Sequence, residues 1–334
     1  MITNYIMKVA FCFIISYEHI LNKEEIWREW IEPNKDIINV YFYYKDYKKI
    51  HSQWIREHTL PSNYIRETSY YYVIPAYLSL MGFALTHDSD NNWFCMLTDS
   101  CCPIISPSKF RYLFYKNYNK SIMRWNPAWW NIDFHKRANL SKLPQEFHLG
   151  NDPWFTLKKE HILQVLTFAN KKKDITKTIC SGGLANESFF AIVLYSYKQL
   201  HLNGPVISAG THIIDWKRMT STTSPHVFKK GDETDKKFID SELNKNKYAM
   251  FIRKVSPEFP DEVLNHYIYD YNKINDDKLI LIEPAIFIFH RFKKNLYYCL
   301  PYMLLLFNYI VYLYFVILII NINNNIKYNI FINV

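Results

Sequence analysis

The chain has 334 residues, of which 49% are hydrophobic, and this length can bury one large core or two smaller ones. Its formal charge of +9 suits a phosphate-bearing ligand or an anionic membrane surface, but the basic residues are spread along the chain, so nucleic-acid binding is not supported. The six cysteines form no Cys-x-x-Cys or paired Cys/His pattern, which argues against a thiol-bound metal.

The first third of the chain alternates between two patterns. Apolar runs with the length of buried strands are separated by segments with helical spacing or a helix-start signal. The strand-like runs are residues 7–16, 37–44 and 92–98, and the helical segments are 23–31, 68–85 and one that begins at Ser106-Pro107. This alternation predicts an α/β fold with a mainly parallel sheet, whose ligands bind beyond the carboxyl ends of the strands. The residues at those ends are Ser16, Tyr17, Lys45, Asp46 and residues 98–102.

One sequence in this region, Asp88-Ser89-Asp90, has the Asp-x-Asp form that binds a divalent ion in many sugar transferases. It precedes the predicted strand 92–98, whereas a metal-binding pair should lie at a strand's carboxyl end. We therefore assign it to a solvated turn and expect no metal site. The chain also has no dinucleotide-binding glycine motif, phosphate-binding lysine loop, Gly-x-Ser-x-Gly elbow or His-Glu-x-x-His motif, which excludes the common nucleotide and serine hydrolases.

Between residues 118 and 150 the periodic pattern stops, in a segment rich in Trp, His and Arg. Aromatic faces stack on sugar rings and Arg binds hydroxyls or phosphates, so acceptor binding is one interpretation of this segment. A loop whose aromatic residues only pack is the other. The residues concerned are Arg124, Trp125, Trp129, Trp130, His135, Lys136 and Arg137.

A candidate general base, Glu187, lies between a Trp-bearing strand predicted at 152–155 and a strand end at Asp215-Trp216. One carboxylate suffices to take a proton from an attacking hydroxyl, and Glu187 begins a predicted helix, 188–200, whose N-terminus favours the ionised form. The alternative role is an acid that only stabilises that helix. Lys254 would supply a fixed positive charge that binds a diphosphate. The alternative role for Lys254 is a solvated charge at the end of a strand.

The C-terminal part differs from the rest, because no residue from 295 to 326 is charged and 296–320 is almost wholly apolar and aromatic. This exceeds the roughly 20 residues that cross a bilayer. Basic residues just before the segment outnumber the single Lys327 that follows it, so the charge rule puts the main domain on the cytosolic face. The preceding basic residues are Arg291, Lys293 and Lys294.

These features divide the chain into two parts. We predict a catalytic domain over 1–285 and a membrane-anchor tail over 286–334 that crosses the bilayer once. The alternative for the tail is a hydrophobic helix that docks on the domain.

Five segments in a fixed order carry a resemblance to a known family. They are residues 93–104 (WFCMLTDSCCPI), 150–155 (GNDPWF), 186–190 (NESFF), Asp215-Trp216 with 224–228 (SPHVF), and 251–257 (FIRKVSP). Together they resemble the core-2/I-branching β-1,6-N-acetylglucosaminyltransferase family, most closely its plant-like branch. The resemblance covers roughly residues 7–260, and the tail lies outside it.

The resemblance implies a GT-A-type nucleotide-sugar fold, inversion at the sugar carbon, a UDP-sugar donor, a glycan or glycoprotein acceptor, and no metal or other cofactor. It implies that Glu187 is the general base, that Lys254 binds the diphosphate, and that Trp216 contacts the acceptor. Lys229 and Lys230 are the candidates for a second cation at the leaving group. The remaining expected contacts with donor or acceptor are Ser16, Asp46, Ser100, Trp154 and Asp215.

The sequence also departs from the family pattern. Asp46 matches the family's nucleoside-binding acid only if the register shifts by one residue, and Cys101 replaces an Asp of the branching enzymes. The donor sugar therefore stays open between N-acetylglucosamine and xylose. The family implies a Golgi-type endomembrane enzyme with an N-terminal anchor, whereas this chain predicts a C-terminal one. The alternative function is a catalytically silent, membrane-attached glycan-binding protein with the same fold.

Overall fold

The computed structural model describes residues 7–69, 71–221 and 224–271, all of which belong to one compact unit. Within these residues, no helix combines the length and apolar character that a membrane span needs. The predicted anchor tail, 286–334, and its hydrophobic helix lie outside the described residues.

The strands of the described part form three sheets. In chain order they are β1 (Lys8–Ile14), β2 (Ile38–Tyr43), β3 (Asn91–Thr98), β4 (Cys102–Pro103), β5 (Ser121–Ile122), β6 (Trp125–Pro127), β7 (Leu149–Asn151), β8 (Thr156–Lys158), β9 (Val206–Ile207), β10 (His212–Ile214) and β11 (Phe251–Arg253). Residues 152–155 link β7 to β8 as a bend, so the strand predicted there is wrong.

The central sheet has six strands in the order β2-β1-β3-β8-β5-β9. β1 runs parallel to both β2 and β3, and β5 runs parallel to β9, whereas β8 is antiparallel to β3 and β5. The expectation of an α/β fold with a largely parallel sheet is confirmed. A three-stranded sheet has the order β10-β11-β4, and a two-stranded sheet pairs β6 with β7.

The described residues also form helices, several of which pack against the central sheet. They are α1 (Glu24–Ile31), α2 (Gln53–Glu57), α3 (Ile74–His87), α4 (Pro107–Asn117), α5 (Lys159–Lys171), α6 (Lys173–Cys180), α7 (Phe189–Ser196), α8 (Glu233–Lys245) and α9 (Asp261–Asn265). The helix start at Ser106-Pro107 is confirmed, because the Ser106 hydroxyl accepts a hydrogen bond from Lys109 N–H at 3.1 Å. α3 begins later than predicted, since Pro75 occupies its first turn, where proline favours a helix start.

α1 packs its tryptophans against the sheet and holds the loop that follows β3. Trp27 and Trp30 are fully buried against Phe11 of β1. The Trp27 indole N–H donates to the Cys101 carbonyl at 2.9 Å, and the Trp30 indole N–H donates to the Ile105 carbonyl at 2.7 Å. Because each buried indole uses its single donor on this loop, the carboxyl end of β3 is held in place.

The Asp-x-Asp sequence lies in a turn before β3, as predicted. Asp88 accepts a hydrogen bond from the Lys8 ammonium at 2.9 Å and one from the Asn39 amide at 2.9 Å. These contacts give Asp88 a structural role at the amino end of the sheet, on the opposite edge from the strand ends where ligands bind in such sheets.

Candidate active site

The three-stranded sheet carries Lys254 to the carboxyl ends of β1 and β3. β11 pairs antiparallel with β4, directly after β3, and Val255 N–H donates to the Ser100 carbonyl at 2.9 Å. The carboxylate of Asp99 accepts a hydrogen bond from Ser16 N–H at 2.8 Å. Ser16 and Ser100, which follow β1 and β3, are therefore at the same edge as Lys254.

The Lys254 side chain at this edge contacts a neutral group rather than a carboxylate. Its ammonium donates to the neutral hydroxyl of Ser224 at 2.8 Å. Burial, together with the neighbouring Arg253, lowers the pKa of Lys254, while Asp99 opposes that shift. Among the residues that the structure describes, no carboxylate lies within ion-pair distance of Lys254.

Asp46 lies beyond β2, beside a buried histidine. Asp46 N–H donates to His19 Nε2 at 2.9 Å, so the proton of this ring is on Nδ1, which donates to the Tyr17 carbonyl at 2.6 Å. The Asp46 carboxylate caps the short 3₁₀ turn Tyr47–Lys49 through Lys48 N–H. The side chain therefore stabilises its own turn, and a contact with the nucleoside stays a prediction.

Glu187 ends a 3₁₀ turn, Ala185–Glu187, and lies outside α7, which begins at Phe189. The helix predicted over 188–200 is therefore confirmed as α7, which starts one residue later and ends at Ser196, and Glu187 lies just before its N-cap, Ser188. The cation that faces its carboxylate is Arg137, whose Nη1 donates to Glu187 Oε2 at 2.9 Å. Burial raises the pKa of Glu187; Arg137 opposes this shift and the nearby Asp152 adds to it.

Asp152 is a second carboxylate beside the candidate base. Burial raises the pKa of Asp152 to about 6, with Arg124 at 3.8 Å opposing the shift. Asn151 fixes this loop to the segment that carries the base, since its amide donates to the Asn186 carbonyl at 2.9 Å. Asp152 and Glu187 are consequently held on neighbouring segments.

Arg253 connects the end of β11 to the loop that carries Asp152. Its guanidinium stacks on the Trp154 ring at 3.6 Å from the centroid and donates to the Thr98 hydroxyl at 2.9 Å. Trp154 lies two residues after Asp152, and Lys254 directly follows Arg253. The stack therefore joins the loop that carries Asp152 to the strand end that carries Lys254.

Tyr77 supports the same loop from α3. The buried Tyr77 hydroxyl donates to the Pro153 carbonyl at 2.9 Å. Burial raises the pKa of Tyr77, and both Arg253 and Glu187 act on it electrostatically. Tyr77 therefore lies close enough to both Glu187 and Arg253 for their charges to affect its pKa.

The carboxylate of Asp215 is buried directly after β10. It accepts hydrogen bonds from Lys217 N–H at 2.9 Å, Arg218 N–H at 3.0 Å and Arg218 Nε at 2.5 Å. The next side chain, Trp216, is 47% exposed and remains accessible to an acceptor. The structure thus gives Asp215 a positioning role, and direct substrate binding by Asp215 stays a prediction.

We expect Asp215→Ala to lower the free energy of unfolding by about 2 kcal/mol, because three donors lose their acceptor while Arg218 keeps its second partner, Asp235, at 2.9 Å. Burial alone would raise the pKa of Asp215, but Arg218 and the backbone donors lower it overall. Its stabilising effect is therefore present above the ordinary carboxyl pKa and is lost as the pH falls through the lowered value. Chemical denaturation at neutral and acidic pH measures both effects, with the exposed Asp133→Ala as control. An unchanged unfolding midpoint at neutral pH would contradict the positioning role.

Lys229 and Lys230 are exposed on the segment after Phe228. Phe228 N–H donates to the Lys254 carbonyl at 2.8 Å, so this segment runs beside the end of β11. The backbone that carries these two lysines is therefore adjacent in space to the backbone of Lys254. Their role as a second cation stays a prediction.

The 118–150 segment contains packed and exposed aromatic residues. A side chain at Gly150 would lie 2.5 Å from the Trp129 ring, so only glycine permits this approach. Trp130 lies under Arg137, 5.3 Å from its guanidinium carbon. Trp129 is nevertheless 56% exposed, so the packing and acceptor interpretations both keep support.

Two members of this site, Tyr77 and Asp152, are not identified by the sequence patterns. Asp152 lies two residues before Trp154, within one of the segments that carry the resemblance, and this position was an available signal. Tyr77 lies inside an apolar helix and carries no such signal.

Comparison with curated proteins finds no match. The family model of the Core-2/I-Branching enzymes matches residues 9–241, which include Asp152, Glu187 and Asp215 but end before Lys254. Membership implies glycosyl transfer from a nucleotide-sugar donor to a glycan acceptor. The chain belongs to the Core-2/I-Branching enzyme family and is a glycosyltransferase.

Proposed function

We propose that the protein is an inverting, metal-independent enzyme that moves N-acetylglucosamine or xylose from a UDP-sugar to a hydroxyl of a glycan, with Glu187 as the general base. One observation carries this proposal: the loop 151–154 contacts the segments of both groups, since Asn151 bonds to Asn186, next to Glu187, and Trp154 stacks on Arg253, next to Lys254. Direct displacement requires a base for the acceptor and a cation for the leaving group within one connected site.

In this mechanism the acceptor oxygen attacks the anomeric carbon as the bond to the diphosphate oxygen breaks. The hydroxyl proton passes to Glu187, and the electron pair of the broken bond stays on UDP. Lys254, which has no carboxylate partner among the described residues, faces the developing negative charge. A cation in that position can stabilise the leaving group as a metal ion would.

The donor and the metal requirement are tested together with the purified full chain. We expect turnover of UDP-N-acetylglucosamine or UDP-xylose in excess chelator, measured as UDP release with a panel of glycan acceptors. UDP binding without turnover of any donor would instead support the silent glycan-binding alternative.

Arg137 should control the pH dependence of this reaction. Its cation lowers the pKa of Glu187, so Arg137→Gln should raise that pKa further. Because the base works only when it is deprotonated, the acidic limb of kcat/KM should move to higher pH. Arg137→Lys keeps the charge and should restore much of the wild-type profile. An unmoved limb in Arg137→Gln would show that Arg137 does not act on the base.

A further inference from the structure

A groove of about 490 Å³ lies between α3 and α6, with no assigned role. Its floor includes Ile74, Leu78 and Gly82, which follow each other at four-residue spacing and so form one stripe of α3. A side-chain carbon added at Gly82 would meet nothing within 4 Å, so space is open above this part of the stripe. None of Asp152, Glu187 and Lys254 is among the described residues that line this groove, so it is separate from the candidate active site.

The charged residues that line this groove are all basic. They are Arg66, Lys173 and Lys177. Lys173 and Lys177 are exposed, lie one helical turn apart on α6, and enter no ion pair within residues 7–69, 71–221 and 224–271. Two unneutralised ammonium groups above an apolar floor favour an anion that carries an apolar body.

Thr176 and Cys180 also line the groove. Thr176 Oγ1 is buried and has no hydrogen-bond partner among the described residues, although buried polar atoms are nearly always paired. Cys180 belongs to the apolar wall, because burial raises the pKa of its thiol to about 12 and keeps it neutral.

We propose that this groove binds a soluble single-chain amphipathic anion, with its alkyl body on the α3 stripe and its phosphate or carboxylate between Lys173 and Lys177. The volume lies within the range of small-molecule pockets. The proposal does not depend on the identity of the donor sugar, because binding is measured without turnover.

Calorimetric titration of the full chain with octyl phosphate, inorganic phosphate and octanol tests the proposal. Octyl phosphate should bind about tenfold more tightly than inorganic phosphate or octanol, because only octyl phosphate can contact both the apolar floor of the groove and the lysines. Gly82→Leu should fill the groove and weaken binding about tenfold, whereas Gly82→Ala, which raises helix propensity but fills little space, should not.

The double variant Lys173→Gln/Lys177→Gln changes only exposed side chains and should also weaken octyl phosphate binding about tenfold. The matched control is Lys237→Gln/Lys245→Gln, which removes two exposed charges from α8. If Gly82→Leu does not fold, the lysine variant still decides. Equal affinity for octyl phosphate and inorganic phosphate, or unchanged binding in the lysine variant, would overturn the proposal. Binding to anionic phospholipid vesicles but not to octyl phosphate would also overturn it, in favour of a membrane surface.

Discussion

Glu187→Gln should lower kcat by about 10²–10⁴-fold, the usual contribution of a positioned general base. The amide keeps the shape of the side chain, and its oxygen can still accept the Arg137 hydrogen bond, which is 2.9 Å long in the wild type. It cannot take up the proton of the acceptor. Affinity for UDP should stay near the wild-type value, because in the proposed mechanism Glu187 faces the acceptor rather than the diphosphate.

Single-turnover kinetics and calorimetric UDP titration separate the two quantities. Glu146→Gln is a matched control, since Glu146 is an exposed acid in the 3₁₀ turn Gln145–Phe147. If Glu187→Gln keeps most of the wild-type rate, the base lies elsewhere, and the neighbouring Asp152 becomes the candidate to test by Asp152→Asn.

Lys254→Met should lower kcat by about 10²–10³-fold, as expected when one preorganised group facing the developing charge is lost. Methionine keeps much of the apolar stem, so the packing beside Ser224 should change little. Added chelator should leave wild-type turnover unchanged, since the lysine supplies the charge that a metal would supply.

Steady-state kinetics with and without chelator measures these effects, and Lys247→Met, at an exposed position on the protein surface, is the control. Lys229→Met and Lys230→Met identify the second cation, because only the lysine that contacts the diphosphate should reduce kcat. A chelator-sensitive wild type, rescued by added metal, would contradict the role assigned to Lys254.

The parts of the fold that the sequence predicts are those with a local cause. β1, β2 and β3 are long apolar runs, and the start of α4 has a serine cap. The short strands were not predictable, because they form through distant contacts such as the pairing of Cys102 with Ile252. A strand of two or three residues has no period to detect.

The same distinction holds for the candidate site. Glu187 and Lys254 are visible in the sequence because each lies in a recognisable motif. The Arg137–Glu187 ion pair and the Arg253–Trp154 stack join residues that are far apart in the chain, so only the folded structure reveals them. Burial raises the pKa of Glu187, and Arg137 opposes that shift, so the folded structure is needed to see the environment of this carboxylate.

The buried setting of Asp152 has a consequence for how the charge of the candidate site changes with pH. With a pKa of about 6, this carboxyl group gains or loses its proton over the interval that separates mildly acidic organelle lumens from the cytosol. When Asp152 is ionised, its charge raises the pKa of Glu187; when it is neutral, that influence disappears. The same polypeptide would therefore carry a different net charge around Glu187, the proposed base, in a secretory compartment than on the cytosolic side.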